Sequence, residues 1–236
     1  MSDLSSAQLE RARNEVAQAW ATALEANLPE QESELVDWID STIIGLNGSR
    51  EGQEKLYAAH TSVSRLSVFS GFCDEMSQVA NRIVGNGLPF AVIGSGFLLG
   101  LPDDTRLAYD YHQESSYMRG ALDIMNVHFP FLRDSTTKNG TMSVLSGSHQ
   151  QGHFETTKTR EADNSYTNLV PINIEELVPK HQEVHLELRL GDVAFFHKDL
   201  VHRSNPNTSG RLRPPVVLRL TQDFSYGFEV LGPDDL

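Results

Sequence analysis

An imidazole and a carboxylate stand two residues apart in Tyr111-His112-Gln113-Glu114. On a strand, alternate side chains share a face, so His112 and Glu114 would sit side by side. Such a pair suits a divalent metal ion. A third ligand has to come from a distant element, and His202 in FFHKDLVHRSNPN is the candidate. Two histidines and one carboxylate on one side of a metal leave positions open for small ligands, the arrangement of non-heme Fe(II) oxygenases. A His-x-Glu pair also arises by chance, and a half-buried or surface histidine is its plainer explanation. The other histidines offer less. His149 and His153 are four apart, but Gly147 and Gly152 flank them, so both read as loop residues near a pocket. His197 reads as structural, and His60, His181 and His185 as solvated. Tyr109 and Tyr111 alternate with the inward face and would pack or line a wall. Cys73 sits in a helical apolar stripe and reads as a small buried hydrophobe. The Asp234–Asp235 end reads as solvated.

The elements that must position these residues divide at Pro89. Before it the pattern is helical. Ser5 and Gln8 form a capping-box pattern, and Leu9, Ala12, Val16, Trp20 and Leu24 follow at helical spacing until Pro29 ends the run. A second helix carries Leu35, Trp38, Ile39, Ile43 and Ile44, and a third, short one lies near Glu54–His60. A fourth spans roughly Ser64–Val84 and buries Phe69, Phe72, Cys73, Met76, Val79, Ala80 and Ile83. After Pro89 come short β-rich runs bounded by Gly, Pro, Asn or Asp: FAVIGSGFLLG, RLAYDYHQE, LDIMNVHFPFL, TMSVLSG, EVHLELRL, DVAFFHKDLV and PVVLRLTQDF. Many short strands joined by turns predict a sandwich or barrel rather than an alternating βα sheet. The polar stretch 150–183 would be an insertion between strands, and loops of that length are usually functional or disordered. The expectation is one domain over 1–236, with a helical layer (1–88) packed on an antiparallel β-sandwich or jelly roll (89–236).

Composition narrows the function. The hydrophobic share of 39% and charged share of 22% are those of a globular chain. A formal charge of −13 argues against general nucleic-acid binding, which needs a basic stripe. No apolar run is long enough for a membrane span, so no membrane partner is expected. The polar N-terminus reads as neither a secretory signal nor a transit peptide. One cysteine excludes an internal disulfide framework and a thiolate zinc cluster. A soluble cytoplasmic protein is the expectation; the oligomeric state is not legible.

Two longer stretches narrow it further. NGTMSVLSGSHQQGHF resembles the Asn-Gly…Pro-Gly-Ser-His…Gly stretch of the phytanoyl-CoA dioxygenase family, and LRLGDVAFFHKDLVHRSNPNTSGRLRPPVVLRL resembles that family's Gly-Asp…Phe-Phe-His…His-Gly-Ser…Asn…Arg stretch. The likeness covers about Ala108 to Leu220. The resemblance implies an Fe(II)/2-oxoglutarate oxygenase on a double-stranded β-helix, a cupin-like jelly roll. It makes His112, Glu114 and His202 the iron ligands and Arg213 the partner of the far carboxylate of 2-oxoglutarate, a task suited to a planar guanidinium. Arg211 is the rival for that role. Ser204 and Gln113 match family residues expected near 2-oxoglutarate, although on an ideal strand Gln113 would point to the opposite face. Three departures stand out: Glu114 where the family usually has Asp, Arg203 after His202 where Gly is usual, and His128 where relatives often carry Trp.

The reaction so implied hydroxylates a C–H bond of a small metabolite, with dioxygen as co-substrate and 2-oxoglutarate decarboxylated to succinate. Tyr117, Arg119, His149 and Arg203 are candidates for substrate contact, and 150–183 for a lid. No basic cluster suits a polyanionic CoA moiety, so a small polar or zwitterionic substrate is favoured. Two other readings remain. A cupin-like metal enzyme without 2-oxoglutarate would give Arg213 no role, and a non-catalytic jelly-roll binding module would bind ligand without turnover.

Overall fold

In the computed structural model, residues 5–63, 66, 68–104, 109–118, 123–159 and 168–223 are described. Helix α1 (Ser6–Leu24) opens with the expected reciprocal cap, the Gln8 amide donating to Ser5 Oγ and the Ser5 amide to Gln8 Oε1. Helices α2 (Leu35–Asn47), α3 (Arg50–Val63) and α4 (Val68–Val84) follow. Helix α3 is longer than its apolar pattern predicts. Ser49 Oγ accepts from the Gly52 amide and starts the helix early, and Gly52 lies so close to the Leu46 carbonyl that a Cβ would clash. Ile83, expected inside, is 57% exposed at the end of α4, and Cys73 is only partly buried. Trp20 is fully buried and Trp38 packs against the same core, so the helices form an intramolecular layer.

The β part is a jelly roll. Strands β1 (Ala91–Phe97), β9 (Pro215–Thr221), β2 (Ile124–Pro130) and β7 (Ala194–His197) form one antiparallel sheet in that order. Strands β6 (Glu183–His185), β3 (Met142–Leu145) and β8 (His202–Ser204) form a second. Period-two alternation divides the labour of the first sheet. Val216, Leu218, Leu220, Val127 and Phe129 face the helices in the main core, while Pro215, Val217, Arg219, Asn126 and His128 face a cavity toward the second sheet.

Two expectations need correction. The run RLAYDYHQE is not a strand in its described part (109–114). His112 makes one isolated bridge to His202, and Glu114 begins a 3₁₀ turn, Glu114–Ser116. Nor is the described part of 150–183 a lid over the cavity. Strands β4 (Thr156–Thr159) and β5 (Asn168–Pro171) pair, and α5 (Ile174–Leu177) sinks Leu177 into a small core with Tyr111, Leu145 and Val201. Residues 160–167 lie outside the described residues.

The helical layer also grips the segment that leads into β9. Asp40, buried in α2, accepts from Arg133 through two nitrogens, from Arg211 and from the Leu212 amide. Removing one partner of a buried ion pair strands the other charge. Asp40→Ala is therefore expected to cost about 3–5 kcal/mol in chemical unfolding. A loss below about 1 kcal/mol would show the pair to be energetically idle.

Candidate active site

The cavity between the sheets has a volume of about 280 Å³ and gathers residues from β1, β2, β3, β7, β8, β9 and the 109–117 segment. Gln113 is the hinge of that segment. Its backbone is extended (φ −116°, ψ 143°), so His112 and Glu114 project to one side and Gln113 to the other. Alternate side chains thus share a face over these three residues without a full strand ladder. The Gln113 amide is consumed elsewhere: it donates to the Gly152 and Asp199 carbonyls and accepts from the Phe154 amide. Gln113 does not line the cavity, which corrects its expected place beside 2-oxoglutarate.

His112 and His202 exchange two backbone hydrogen bonds, of 2.9 and 3.0 Å, and their rings lie 4.2 Å apart. His112 Nδ1 is 2.7 Å from the Asp110 carbonyl and His202 Nδ1 is 2.8 Å from the Leu200 carbonyl. A carbonyl only accepts, so Nδ1 carries the proton in both rings and each Nε2 is left with a lone pair. Burial pushes both imidazoles below their usual pKa, His112 well below, where His202 and Arg219 add to the effect. Neutral rings are the form that binds metal. One ligand atom each from His112, Glu114 and His202 lies within 4.8 Å of the others, and all three residues are buried. This donor set could hold a divalent ion.

Three further residues bear unpaired polar atoms at the same cavity. Arg213 Nε and Nη1, both amide atoms of Asn126 and His128 Nε2 are buried without a hydrogen-bond partner. Buried polar groups are almost always satisfied, so such a cluster marks the place of a ligand. Burial alone lowers Arg213 to about 10, the signature of a cation with no counter-charge. Its backbone is built in from several sides. The Arg213 amide donates to the Gly100 carbonyl, and Gly100, at φ +55°, would place a Cβ 2.1 Å from the Arg213 carbonyl oxygen. Asn207 donates to the carbonyls of Gly100 and Arg211. Gly140, at φ +81°, lets the 205–207 loop approach, since a Cβ would lie 2.7 Å from the Asn205 carbonyl oxygen. The Asn-Gly and Asn-Pro-Asn motifs are thus framework for Arg213.

The remaining predicted residues divide. Ser204 and Tyr117 line the cavity; the Ser204 amide donates to the Tyr109 carbonyl, and the Tyr117 hydroxyl accepts from the Leu169 amide. Arg203 reaches the lining too, but Glu183 neutralises it at 2.7 Å and it lies over the Tyr111 ring. Arg211 does not line the cavity. It is drawn outward to Asp37 and Asp40, which raise its pKa and correct its candidacy for the keto acid. His149 is exposed, its ring 6.1 Å from that of His197, and it too stands off the lining. Arg119 lies outside the described residues. Sequence reasoning missed Arg219, whose Nε donates to Glu114 Oε1 at 2.5 Å, and Asn126. The available signal was a polar residue at an inward position of an otherwise apolar strand.

His128 gives a pH prediction. Burial foremost, with Arg213 and His202 adding to it, lowers its pKa from 6.5 to about 3. Between those values the unfolded chain binds the extra proton, so this stability term is complete above pH 6.5 and is lost as pH falls. At pH 5 the loss from His128 is roughly 2 kcal/mol. His128→Gln should flatten the drop in urea midpoint between pH 7.5 and 5; an unchanged drop would refute the assignment.

The phytanoyl-CoA dioxygenase family profile matches residues 12–214, the greater part of the chain. The chain belongs to that family. The iron(II) and 2-oxoglutarate cofactor set of the family, with dioxygen as co-substrate, suits the donor triad and the unpaired guanidinium. The phytanoyl-CoA dioxygenase domain-containing protein 1 homolog of Dictyostelium discoideum is 30% identical over 114 residues, 48% of this chain and 40% of that protein. The L-proline trans-4-hydroxylase of Streptomyces griseoviridis is 30% identical over 127 residues, 47% of each chain. The matches therefore span less than half the length of these curated relatives. A solved structure of the carbocyclase SnoK from nogalamycin biosynthesis shares the fold, with a TM-score of 0.52 and 22% identity over 69% of this chain and 60% of that one. Among the described residues no helix is long and apolar enough to cross a membrane.

Proposed function

We propose that this chain is an Fe(II)- and 2-oxoglutarate-dependent dioxygenase that hydroxylates a C–H bond of a small-molecule metabolite. One observation carries the reading: a His112–Glu114–His202 donor set and an unpaired, buried Arg213 share one cavity. A buried cation left without a counter-charge calls for an anion beside the metal, and the far carboxylate of 2-oxoglutarate supplies one. When bound, the iron and 2-oxoglutarate supply dioxygen activation coupled to decarboxylation to succinate.

The chain supplies placement and exclusion of water. The Asp110 and Leu200 carbonyls fix the tautomers that aim both Nε2 atoms inward. Arg213 pairs with the far carboxylate of 2-oxoglutarate, with Ser204 beside it on the lining. Tyr109, Tyr117 and Phe196 wall the ligand histidines, with ring centroids 5.1–5.6 Å from His112 or His202. Hydroxylation is favoured over other outcomes of this cofactor pair by the relative that hydroxylates proline.

The test is anaerobic. Fe(II) and then 2-oxoglutarate are added to the purified protein, and the weak visible charge-transfer band is sought. Its appearance, followed by succinate release with a substrate, supports the reading. Bound iron without a band would move the weight to a cupin-like metal enzyme, and succinate without a hydroxylated product would limit the claim to 2-oxoglutarate oxidation.

A further inference from the structure

Two arginines face the cavity from the same strand region. Arg213 and Arg219 are six residues apart, roughly 20 Å of extended chain, and so stand toward opposite ends of the site. Arg213 is buried and unpaired, whereas the Arg219 side chain keeps 30% of its exposure and touches Glu114 through Nε. The Arg219 side chain lies across the sheet over Gly94, its partner in β1: a Cβ there would sit in ordinary contact, 3.5 Å from Arg219 Cδ and 3.7 Å from Nη1. Among the described residues the two Nη groups make no hydrogen bond, so a planar donor edge faces the cavity unused.

Charge decides what that edge is for. Among the described cavity residues, Glu114 is the one carboxylate that lines the site, and Arg203 is already matched by Glu183. Asp104 lines only the adjoining cleft. A divalent ion and the dianion of 2-oxoglutarate cancel each other. Arg213, Arg219 and Glu114 then leave one positive charge in a largely buried cavity. Such a surplus is costly without a partner, although the protein as a whole carries −13.

We infer that Arg219 is a substrate-binding residue, its free guanidinium edge holding a carboxylate or similar single negative charge on the substrate. This rests on the cofactor reading above. The substrate class is then a small acid, including amino acids, with its anionic group at the Arg219 end and the C–H bond to be oxidised nearer the ligand triad. Nε remains on Glu114 while the Nη edge takes the substrate, so one guanidinium orients both the carboxylate ligand and the substrate. A neutral or cationic substrate would leave the surplus charge in place.

The test uses paired probes: a panel of L-amino acids and small carboxylic acids, each beside its primary carboxamide, which has similar shape and no charge. They are added anaerobically to the Fe(II)- and 2-oxoglutarate-loaded protein, and the shift of the charge-transfer band is read as binding. Wild type is expected to respond to at least one acid and at least 10-fold more weakly to its amide. Arg219→Gln is expected to bind iron about 10–100-fold more weakly, because Arg219 also orients Glu114, to form the band once Fe(II) is saturating, and to lose that preference; Arg219→Lys should restore part of it. Acids and amides bound alike, acids bound equally by wild type and Arg219→Gln, or no acid bound at all would each overturn the inference. If Arg219→Gln instead forms no band even at saturating Fe(II) while Arg219→Lys keeps both the band and an unaltered acid preference, Arg219 serves Glu114 alone and the inference fails. A wild type that forms no band refutes the cofactor reading, and the inference falls with it.

Discussion

His202→Ala is expected to weaken Fe(II) binding by on the order of 100-fold or more and to abolish the charge-transfer band. Loss of a group that merely orients a metal ligand already costs about 10–100-fold in affinity, so loss of a ligand should cost at least as much. The fold should survive. The backbone bonds between His112 and His202 do not involve the side chain. What goes is a neutral ring and its bond to the Leu200 carbonyl, worth about 1–3 kcal/mol when a buried acceptor is left unpaired. Chelator competition gives the affinity, and far-ultraviolet circular dichroism checks the fold. Glu114→Gln offers a second route to the same loss, but it also strands the Arg219 charge, so its stability cost should be the larger. Iron bound by His202→Ala as tightly as by wild type would remove His202 from the ligand set.

Arg213→Met is expected to act in two directions at once. Without ligands, the variant should be more stable than wild type, by about 1–4 kcal/mol, because an uncompensated buried cation gives way to an apolar side chain of similar length. With 2-oxoglutarate, it should bind on the order of 10²–10³-fold more weakly, the 3–4 kcal/mol of a lost buried charge pair. Arg213→Lys should recover only part of the affinity, since an ammonium cannot present two parallel bonds to a carboxylate. Urea unfolding of the metal-free protein and titration of the charge-transfer band measure the two effects separately. A variant destabilised in the metal-free state would mean that Arg213 has a structural partner in solution. Undiminished 2-oxoglutarate binding would take the keto acid away from this residue.

Both expectations rest on tension between folding and function. A cavity with a bare guanidinium, an unpaired amide on Asn126 and an unpaired ring nitrogen on His128 is poor folding chemistry and good ligand chemistry. The surrounding framework carries the cost. Asp40 accepts from the Leu212 amide, Asn207 donates to the Arg211 and Gly100 carbonyls, and Gly100 accepts from the Arg213 amide at a close approach.

Much of this was legible before folding. The run PVVLRLTQDF was readable as a strand, whose pleat puts Val216, Leu218 and Leu220 on one face and Val217 and Arg219 on the other, but only the fold shows that the second face meets the cavity. The Ser5–Gln8 cap and the stripe of α1 are local in the same sense. His112 and Glu114 were readable as a pair, since one extended residue between them suffices. Other assignments hung on contacts distant in the chain. Arg211 and Arg213 look equivalent in SGRLRPP; only the carboxylates of α2, more than 170 residues away, draw the first outward and leave the second inside. Gln113 could not be placed until the backbone at 152, 154 and 199 was seen to claim its amide. Arg219 looked like an ordinary strand cation until the fold brought Glu114 against it. Short-range sterics belong to the local sequence, whereas the fate of a charge depends on which opposite charge the fold delivers to it.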